Sequence, residues 1–202
     1  MKSKLSCAAA LGALMALAGA GSDSSAAAPP AESLAVTPGP APASAPTTPT
    51  AGKRATCNLA NFEAQVLALV NAYRTAGASC GGRQSSLSGA PPLAWNASLA
   101  QASLMHSNDM VARNFFSHTG PDGGDASQRA IAAGYIWQSV GENIAGGQPS
   151  VALVMAGWMA SPGHCANIMQ ASFRDIGVAC VSAGTSNTYR TYWTMTLGVA
   201  RS

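Results

Sequence analysis

The stretch Trp158-Met159-Ala160-Ser161-Pro162-Gly163-His164-Cys165-Ala166-Asn167-Ile168 decides the fold of this chain, together with Gly141-Glu142-Asn143-Ile144, which precedes it by the length of a helix. With Phe116-Ser117-His118 further upstream, these segments hold two of the three histidines and one of the eight acidic residues. Because only 9% of the residues are charged, each ionisable side chain in such a setting is a candidate for function.

The first 20 residues (1–20) have the pattern of a secretory signal peptide. Lys2 and Lys4 precede an apolar run over residues 8–20, and Ala18-Gly19-Ala20 supplies the small side chains of a cleavage site. The run is shorter than the roughly 20 apolar residues that a transmembrane helix needs. We expect an exported protein without a transmembrane anchor, secreted to the extracellular space or retained in the periplasm.

Composition divides the rest of the chain in two. Residues 21–56 are dominated by Ala, Pro, Ser and Thr, which predicts a disordered linker because such a segment cannot bury enough apolar surface to fold. Residues 57–202 carry aromatic and aliphatic side chains with helical periodicity, and about 145 residues is the size of one domain. Without Lys2 and Lys4, the 11 basic residues become 9 against 8 acidic ones, a balance that argues against nucleic-acid binding.

Four cysteines remain in the predicted domain: Cys57, Cys80, Cys165 and Cys180. An even number in an exported chain, with no pair two residues apart, favours disulfides over a structural zinc site. Three pairings are possible in principle. Proximity in the sequence favours Cys57-Cys80 and Cys165-Cys180, and the second bridge would hold the segment of His164.

Apolar periodicity predicts helices first and a β-hairpin last. The expected helices cover residues 59–76, 96–114 (capped by Asn96), 125–133, 149–160 and 161–169. The expected strands cover residues 176–181 and 189–200, joined by a turn-rich segment. This order indicates an α+β domain.

A series of short segments occurs in a characteristic order: Leu93-Ala94-Trp95-Asn96, His106, Asp109-Met110, Phe116-Ser117-His118, Asp122-Gly123, Gly134-Tyr135, Gly141-Glu142-Asn143-Ile144, Trp158, Ser161-Pro162-Gly163-His164, Asn167-Ile168 and Ile176-Gly177-Val178. This series, over roughly residues 60–200, resembles the CAP superfamily (cysteine-rich secretory proteins, antigen 5 and plant pathogenesis-related proteins of group one), and most of all its bacterial secreted, SCP-like branch. The resemblance implies an α-β-α sandwich with a small antiparallel sheet between helical layers.

The resemblance also implies a shallow cavity that contains two His and two Glu. The motifs assign His118, Glu142 and His164 to three of these positions. Ser161 occupies the fourth, where animal members carry a glutamate, and bacterial members often show this difference. One carboxylate therefore faces two imidazoles, and a mechanism built on all four groups does not transfer directly.

Several chemistries are open to these residues. His118, His164 and Glu142 could hold a zinc ion with one open position, although the usual pair of His one turn apart is absent. Ser117 or Ser161 could act as a nucleophile with one of the imidazoles, but Ser161 precedes Pro162 and is explained more simply as a helix cap. The plainest interpretation is that Glu142 hydrogen-bonds a backbone amide or an imidazole.

Other polar residues have simpler explanations. His106, Asp109 and Arg113 are three and four residues apart on one helix, so we expect an ion pair between Asp109 and Arg113, and a His106 that faces a neighbouring element. Asp122-Gly123-Gly124-Asp125 lacks the further carboxylates of a calcium loop and predicts a turn before a helix cap. Trp137 is the tryptophan that we expect to line a ligand groove.

The residues and the resemblance together favour a monomeric binding protein of the cell exterior. Its shallow cavity would take a lipid or other small apolar ligand, or a component of the envelope or of a host. Neither catalysis nor a cofactor is required by this interpretation, and zinc remains open. The alternatives are a metal-assisted hydrolase that uses His118, Glu142 and His164, and a protein-interaction module that uses surface loops.

Overall fold

The computed structural model describes residues 55–81 and 87–202, so the predicted signal peptide 1–20 and all but the end of the predicted linker 21–56 lie outside the described residues. The helices of the described part are α1 (Phe62–Ala76), α2 (Ala97–Arg113), α3 (Ala126–Ala132), α4 (Val151–Ala160) and α5 (Pro162–Met169). The strands are β1 (Ala94–Trp95), β2 (Trp137–Gly146), β3 (Asp175–Ser182) and β4 (Thr191–Ala200).

The strands form one sheet in the order β1-β3-β4-β2. The pairs β3-β4 and β2-β4 are antiparallel, which confirms the predicted C-terminal hairpin. The two-residue strand β1 adds a short parallel pair at one edge. Strand β2, which contains Glu142, is not predicted from the sequence, because its glycines and polar side chains hide the alternation of a half-buried strand.

Alternating side chains of β4 divide the sheet into two faces, as expected for the sandwich. On one face Trp193, Met195 and Leu197 pack in the main core with side chains of α1, α4 and α5. On the other face Thr194 and Thr196 hydrogen-bond two serines of α2, Ser107 and Ser103, at 2.8 Å each. Helices therefore cover both faces of the sheet, which confirms the α-β-α arrangement.

Helix α2 lies unusually close to β3. A Cβ atom added to Gly177 would stand 1.9 Å from the backbone nitrogen of Ala100. The hydroxyl of Ser103 donates to the carbonyl of Gly177 at 2.9 Å, so a small residue on each element permits the approach. This contact fixes α2, and with it the loop that carries His118, relative to the sheet.

Arg74 connects α1 to the end of α5 and to the segment before β1. Its side chain is fully buried, and its guanidinium donates to the carbonyls of Pro91, Ile168, Gln170 and Phe173 at 2.6–3.1 Å. Three of these carbonyls lie at the end of α5 and in the turn that follows it. These hydrogen bonds satisfy backbone carbonyls at and after the C-terminal end of α5 that have no partner within the helix.

The predicted disulfide pairing Cys57-Cys80 and Cys165-Cys180 is wrong. The bridges are Cys57–Cys180 and Cys80–Cys165, with Cα atoms 5.2 and 5.4 Å apart. Helix α1 stands between Cys57 and Cys80 and spans about 22 Å, far more than a disulfide can cross. The segment around Cys57 instead lies beside β3, where its amide donates to the carbonyl of Cys180 at 3.0 Å.

Two predicted helix caps are confirmed, and one is only partly right. The Asn96 side chain accepts from Ser98 and Leu99, and Asp125 forms a capping box with Gln128. Ser161 occupies the N-cap position of α5, but its side chain makes no capping hydrogen bond. Pro162 already removes one backbone donor from that first turn, so fewer amide groups remain for a capping side chain to satisfy.

None of the described helices combines the length and the apolar character needed to cross a bilayer.

Candidate functional site

The candidate site lies along β2, the strand at one edge of the sheet. Edge strands carry backbone groups without a neighbouring strand. Here the carbonyls of Glu142 and Ile144 accept from the side chains of Asn167 (3.1 Å) and Trp158 (3.1 Å), which come from α5 and α4. These bonds hold the two C-terminal helices against β2, and the loop after α2 brings His118 into contact with Glu142 of the strand.

Glu142 is the centre of the site. Its side chain is only 4% exposed, and its two carboxylate oxygens have different partners. Oε1 accepts from Nδ1 of His118 at 2.9 Å, and Oε2 accepts from Nη2 of Arg129 at 2.8 Å. The predicted contact between Glu142 and an imidazole is therefore present, and a guanidinium that the sequence did not point to completes it.

His118 presents one nitrogen to the carboxylate and the other away from it. A carboxylate oxygen only accepts, so Nδ1 of His118 carries the proton of this hydrogen bond. In the neutral ring, Nε2 is then an acceptor, and the side chain is 56% exposed. The pair can thus offer a ligand an oriented hydrogen-bond acceptor.

His106 approaches the same carboxylate from inside the protein. Its Nε2 donates to the carbonyl of Ser117 at 2.8 Å and stands 3.8 Å from Oε1 of Glu142. Burial lowers the pKa of His106, although the nearby Glu142 works in the opposite direction. The expectation that His106 faces a neighbouring element is met, and that element is the loop carrying His118.

His164 is held on α5 by a chain of amide hydrogen bonds. Asn143 donates to the carbonyl of His164 at 3.1 Å, and Asn167 donates to the side-chain oxygen of Asn143 at 3.0 Å. Burial lowers the pKa of His164, and the proximity of His118 lowers it further. The two imidazoles are therefore within electrostatic range of each other, although only His118 contacts Glu142.

A groove of about 340 Å³, which we call the His164 groove, opens between β2, α4 and the segment before β4. Its apolar wall includes Phe116, Ile144, Val154 and Trp158. Its polar groups include Gln148, Ser161, His164 and Tyr189. Phe116 and Tyr189 meet edge to face with ring centres 5.2 Å apart, and none of the described residues that line the groove is Asp, Glu, Lys or Arg.

A second groove of about 400 Å³ is lined by Glu142 together with His118, Thr119 and Ser127. The two predicted imidazoles thus line different grooves. Trp137, predicted to line a groove, instead packs with Leu99 and Tyr135 and donates to the carbonyl of Ser127. Trp158 is the tryptophan that lines the His164 groove.

Of the three zinc ligands considered from the sequence, His118 and Glu142 are in contact with each other. Within residues 55–81 and 87–202, no three His, Cys, Asp or Glu side chains come together as a metal site would require. His118, Glu142 and His164 therefore do not fit the three-ligand zinc site considered from the sequence. The hydroxyl of Ser117 accepts from the amide of Thr119, and neither Ser117 nor Ser161 hydrogen-bonds an imidazole through its side chain.

The remaining polar predictions hold. Asp109 and Arg113 form the expected ion pair at 2.8 Å. Asp122 accepts from the amide of Gly124 in a turn, and Asp125 caps α3.

Arg129 is the residue of the site that was not predicted from the sequence. Its partner lies 13 residues away on another element, so helical spacing gave no signal for the contact.

The chain belongs to the CAP family of cysteine-rich secretory proteins, whose family model matches residues 67–197. The match confirms the resemblance seen in the sequence and agrees with the sandwich described above. A fold does not by itself fix a function, so the activity depends on the residues of the site.

Similar proteins come from several bacteria. The Bacillus subtilis "uncharacterized protein YkwD" is 32% identical over 123 residues, which are 61% of this chain and 44% of that protein. An extracellular protein containing an SCP domain from Bacillus anthracis is 26% identical with a TM-score of 0.56, over 75% of this chain and 45% of that one. An outer surface protein from Borrelia burgdorferi, 18% identical with a TM-score of 0.50 over 55% of this chain and 80% of its own, shares the fold. This chain spans less than half the length of the two Bacillus proteins.

Proposed function

We propose that this chain is a binding protein of the cell exterior whose His164 groove holds a small, uncharged ligand with an apolar body and a hydroxyl or amide group. The observation that carries the proposal is the lining of the groove. Aromatic and aliphatic side chains form its wall, and the polar groups beside them are neutral donors and acceptors. Ligand sites commonly combine an apolar wall with a few placed polar groups.

The polar groups that line the groove suit a neutral ligand. A charged ligand group would lose its hydration in the groove without an ion-pair partner among the described lining residues, and that loss is costly. The lowered pKa of His164 favours its neutral form near pH 7, in which the ring both donates and accepts. A ligand hydroxyl or amide can match His164, Ser161 or Gln148.

Two further observations support a place outside the cytoplasm. Both disulfides close long stretches of chain, and disulfides persist in oxidising compartments. The Bacillus anthracis protein with the same fold is described as extracellular. Together with the predicted signal peptide, these features favour export, with the extracellular space and the periplasm as the two destinations.

The proposal is tested by titrating a neutral monoacylglycerol and the fatty acid of the same chain length into the mature protein, with tryptophan fluorescence and calorimetry as readouts. We expect the neutral lipid to bind more tightly than the acid. Gly157→Leu should abolish binding without unfolding the protein, because Gly157 lines the groove on α4 and a Cβ there meets nothing within 4 Å.

Gly163→Leu is the matched control. Gly163 is also a helical glycine with open space around its Cβ position, and it is not among the lining residues of the His164 groove. This variant should bind like the wild type, whereas His164→Ala should weaken binding of the neutral lipid. Equal binding by wild type and Gly157→Leu would show that the ligand does not use this groove.

A hydrolase is the second candidate function, and the His118–Glu142 pair favours it. An imidazole oriented by a buried carboxylate can act as a general base on a bound water molecule. The test is hydrolysis of short-chain p-nitrophenyl esters by wild type and Glu142→Gln. Turnover that falls by about a hundredfold or more in the variant would support the hydrolase, and turnover equal in both proteins would exclude this pair as its machinery.

A further inference from the structure

Arg129 makes more contacts at the site than any role in helix α3 requires. Besides Glu142, its Nη2 donates to the carbonyl of His118 at 2.9 Å, and its Nη1 donates to the carbonyl of Gly124 at 3.0 Å. The side chain is only 11% exposed. One guanidinium therefore joins β2, the loop of His118 and the turn that precedes α3.

These contacts fill the place that a divalent cation would take at Glu142. One carboxylate oxygen is bound by the guanidinium and the other by Nδ1 of His118, so a metal ion at Glu142 would compete with both contacts. It would also be repelled by the permanent charge of Arg129. Among the imidazoles that line the two grooves, the nitrogens not engaged with Glu142 are Nε2 of His118 and the ring of His164, which are fewer than the three protein ligands of zinc sites.

We propose that Arg129 is the built-in counter-ion of Glu142, that it excludes a divalent cation from this site, and that it holds the His118–Glu142 pair in place without metal. The site then presents Nε2 of His118 as a fixed hydrogen-bond acceptor. Arg129 is thus a positioning residue that acts through Glu142 and through the backbone of His118. This inference does not depend on which ligand the His164 groove binds.

The first test is a calorimetric titration of zinc chloride into the mature, disulfide-bonded protein. The wild type should show no saturable one-to-one binding. Arg129→Gln, which removes the charge, should bind zinc at least about tenfold more tightly than the wild type does. The gain should disappear when His118→Ala is added to Arg129→Gln.

Arg113→Gln is the matched control. Arg113 is a neighbouring arginine that pairs with Asp109 instead of Glu142, so its removal takes away a cation without opening the site. It should behave as the wild type. One-to-one zinc binding by the wild type that is lost in His118→Ala would overturn the proposal, and so would zinc binding by Arg129→Gln that is no tighter than that of the wild type.

The second test reads the position of the proton on His118 by two-dimensional imidazole NMR with ¹⁵N-labelled protein. The neutral ring should carry its proton on Nδ1 in the wild type and in Arg113→Gln, and this preference should be lost in Arg129→Gln. A merely structural arginine would leave the tautomer unchanged in a folded variant. If Arg129→Gln does not fold, Arg129→Lys is used in its place. This variant keeps the positive charge, so it should still exclude zinc. A wild-type His118 with its proton on Nε2 would overturn the proposal without any variant.

Discussion

At the scale of single residues, the buried His106 couples the stability of the protein to pH. Burial lowers its pKa below the ordinary value of 6.5, so the folded protein resists the proton that the unfolded chain accepts. The unfolded state binds more protons between the lowered pKa and about 6.5, and stability therefore falls as the pH falls through this window. His164 acts in the same direction.

We expect the free energy of unfolding in urea to drop between about pH 7 and about pH 5, and the drop to be smaller in His106→Gln. The substitution removes the titrating ring but keeps a donor that can reach the carbonyl of Ser117. Denaturation curves for both proteins at the two pH values give the comparison. An equal drop in the free energy of unfolding in the wild type and in His106→Gln would mean that burial does not shift the pKa of His106.

Single residues also show which contacts of Glu142 the sequence can suggest. His118, Glu142 and His164 were found because each lies in a short motif, and the contact of Glu142 with an imidazole follows from the chemistry of the two groups. Arg129 and His106 were not connected to Glu142, because both contacts depend on how α2 and α3 meet β2. Such contacts leave no trace in local spacing.

At the scale of elements, helix positions were predictable because their caps are local. Asn96 and Asp125 accept from amides two or three residues ahead, so the signal and the structure lie in the same short segment. Strand β2 was missed because its stability comes from β4, with which it pairs from Trp137 to Gly146. The residues of β2 are suited to contacts with the helices that cover the strand. Their sequence therefore lacks the alternating pattern of a strand and resembles a loop.

The close packing of α2 on β3 leaves no room for a side chain at Gly177. Gly177→Ala would place a methyl group 1.9 Å from the backbone nitrogen of Ala100, and a helix backbone cannot yield as a flexible side chain can. We expect a loss of more than about 3 kcal/mol in the free energy of unfolding, or failure to fold. Urea denaturation measures the loss.

The matched control is Gly157→Ala on α4, where the added methyl group meets nothing within 4 Å. Alanine is the better helix former, so this variant should be as stable as the wild type or up to about 1 kcal/mol more stable. If both variants lost stability equally, the effect would belong to glycine replacement in general and not to the contact between α2 and β3.

At the scale of the whole molecule, the disulfides join parts of the chain that sequence proximity keeps apart. The two bridges connect residues separated by 123 and 85 positions, instead of the short loops expected from the sequence. In the chain-entropy model a closed loop on the order of 100 residues contributes about 4.7 kcal/mol, more than a short loop would. The pairing was unpredictable because it depends on the final positions of α1, α5 and β3.

The two disulfide bridges should protect different regions of the protein from local unfolding. Cys165 follows His164 on α5, so the Cys80–Cys165 bridge holds this imidazole, whereas Cys57–Cys180 fastens the chain before α1 to β3. Cys80→Ala with Cys165→Ala should cost about 2–5 kcal/mol and speed hydrogen exchange in α5. Cys57→Ala with Cys180→Ala should cost a similar amount but speed exchange mainly in residues 55–61 and β3. Mass spectrometry of unreduced peptides checks the pairing directly, and a peptide joining Cys57 to Cys80 would contradict this account of how His164 is held.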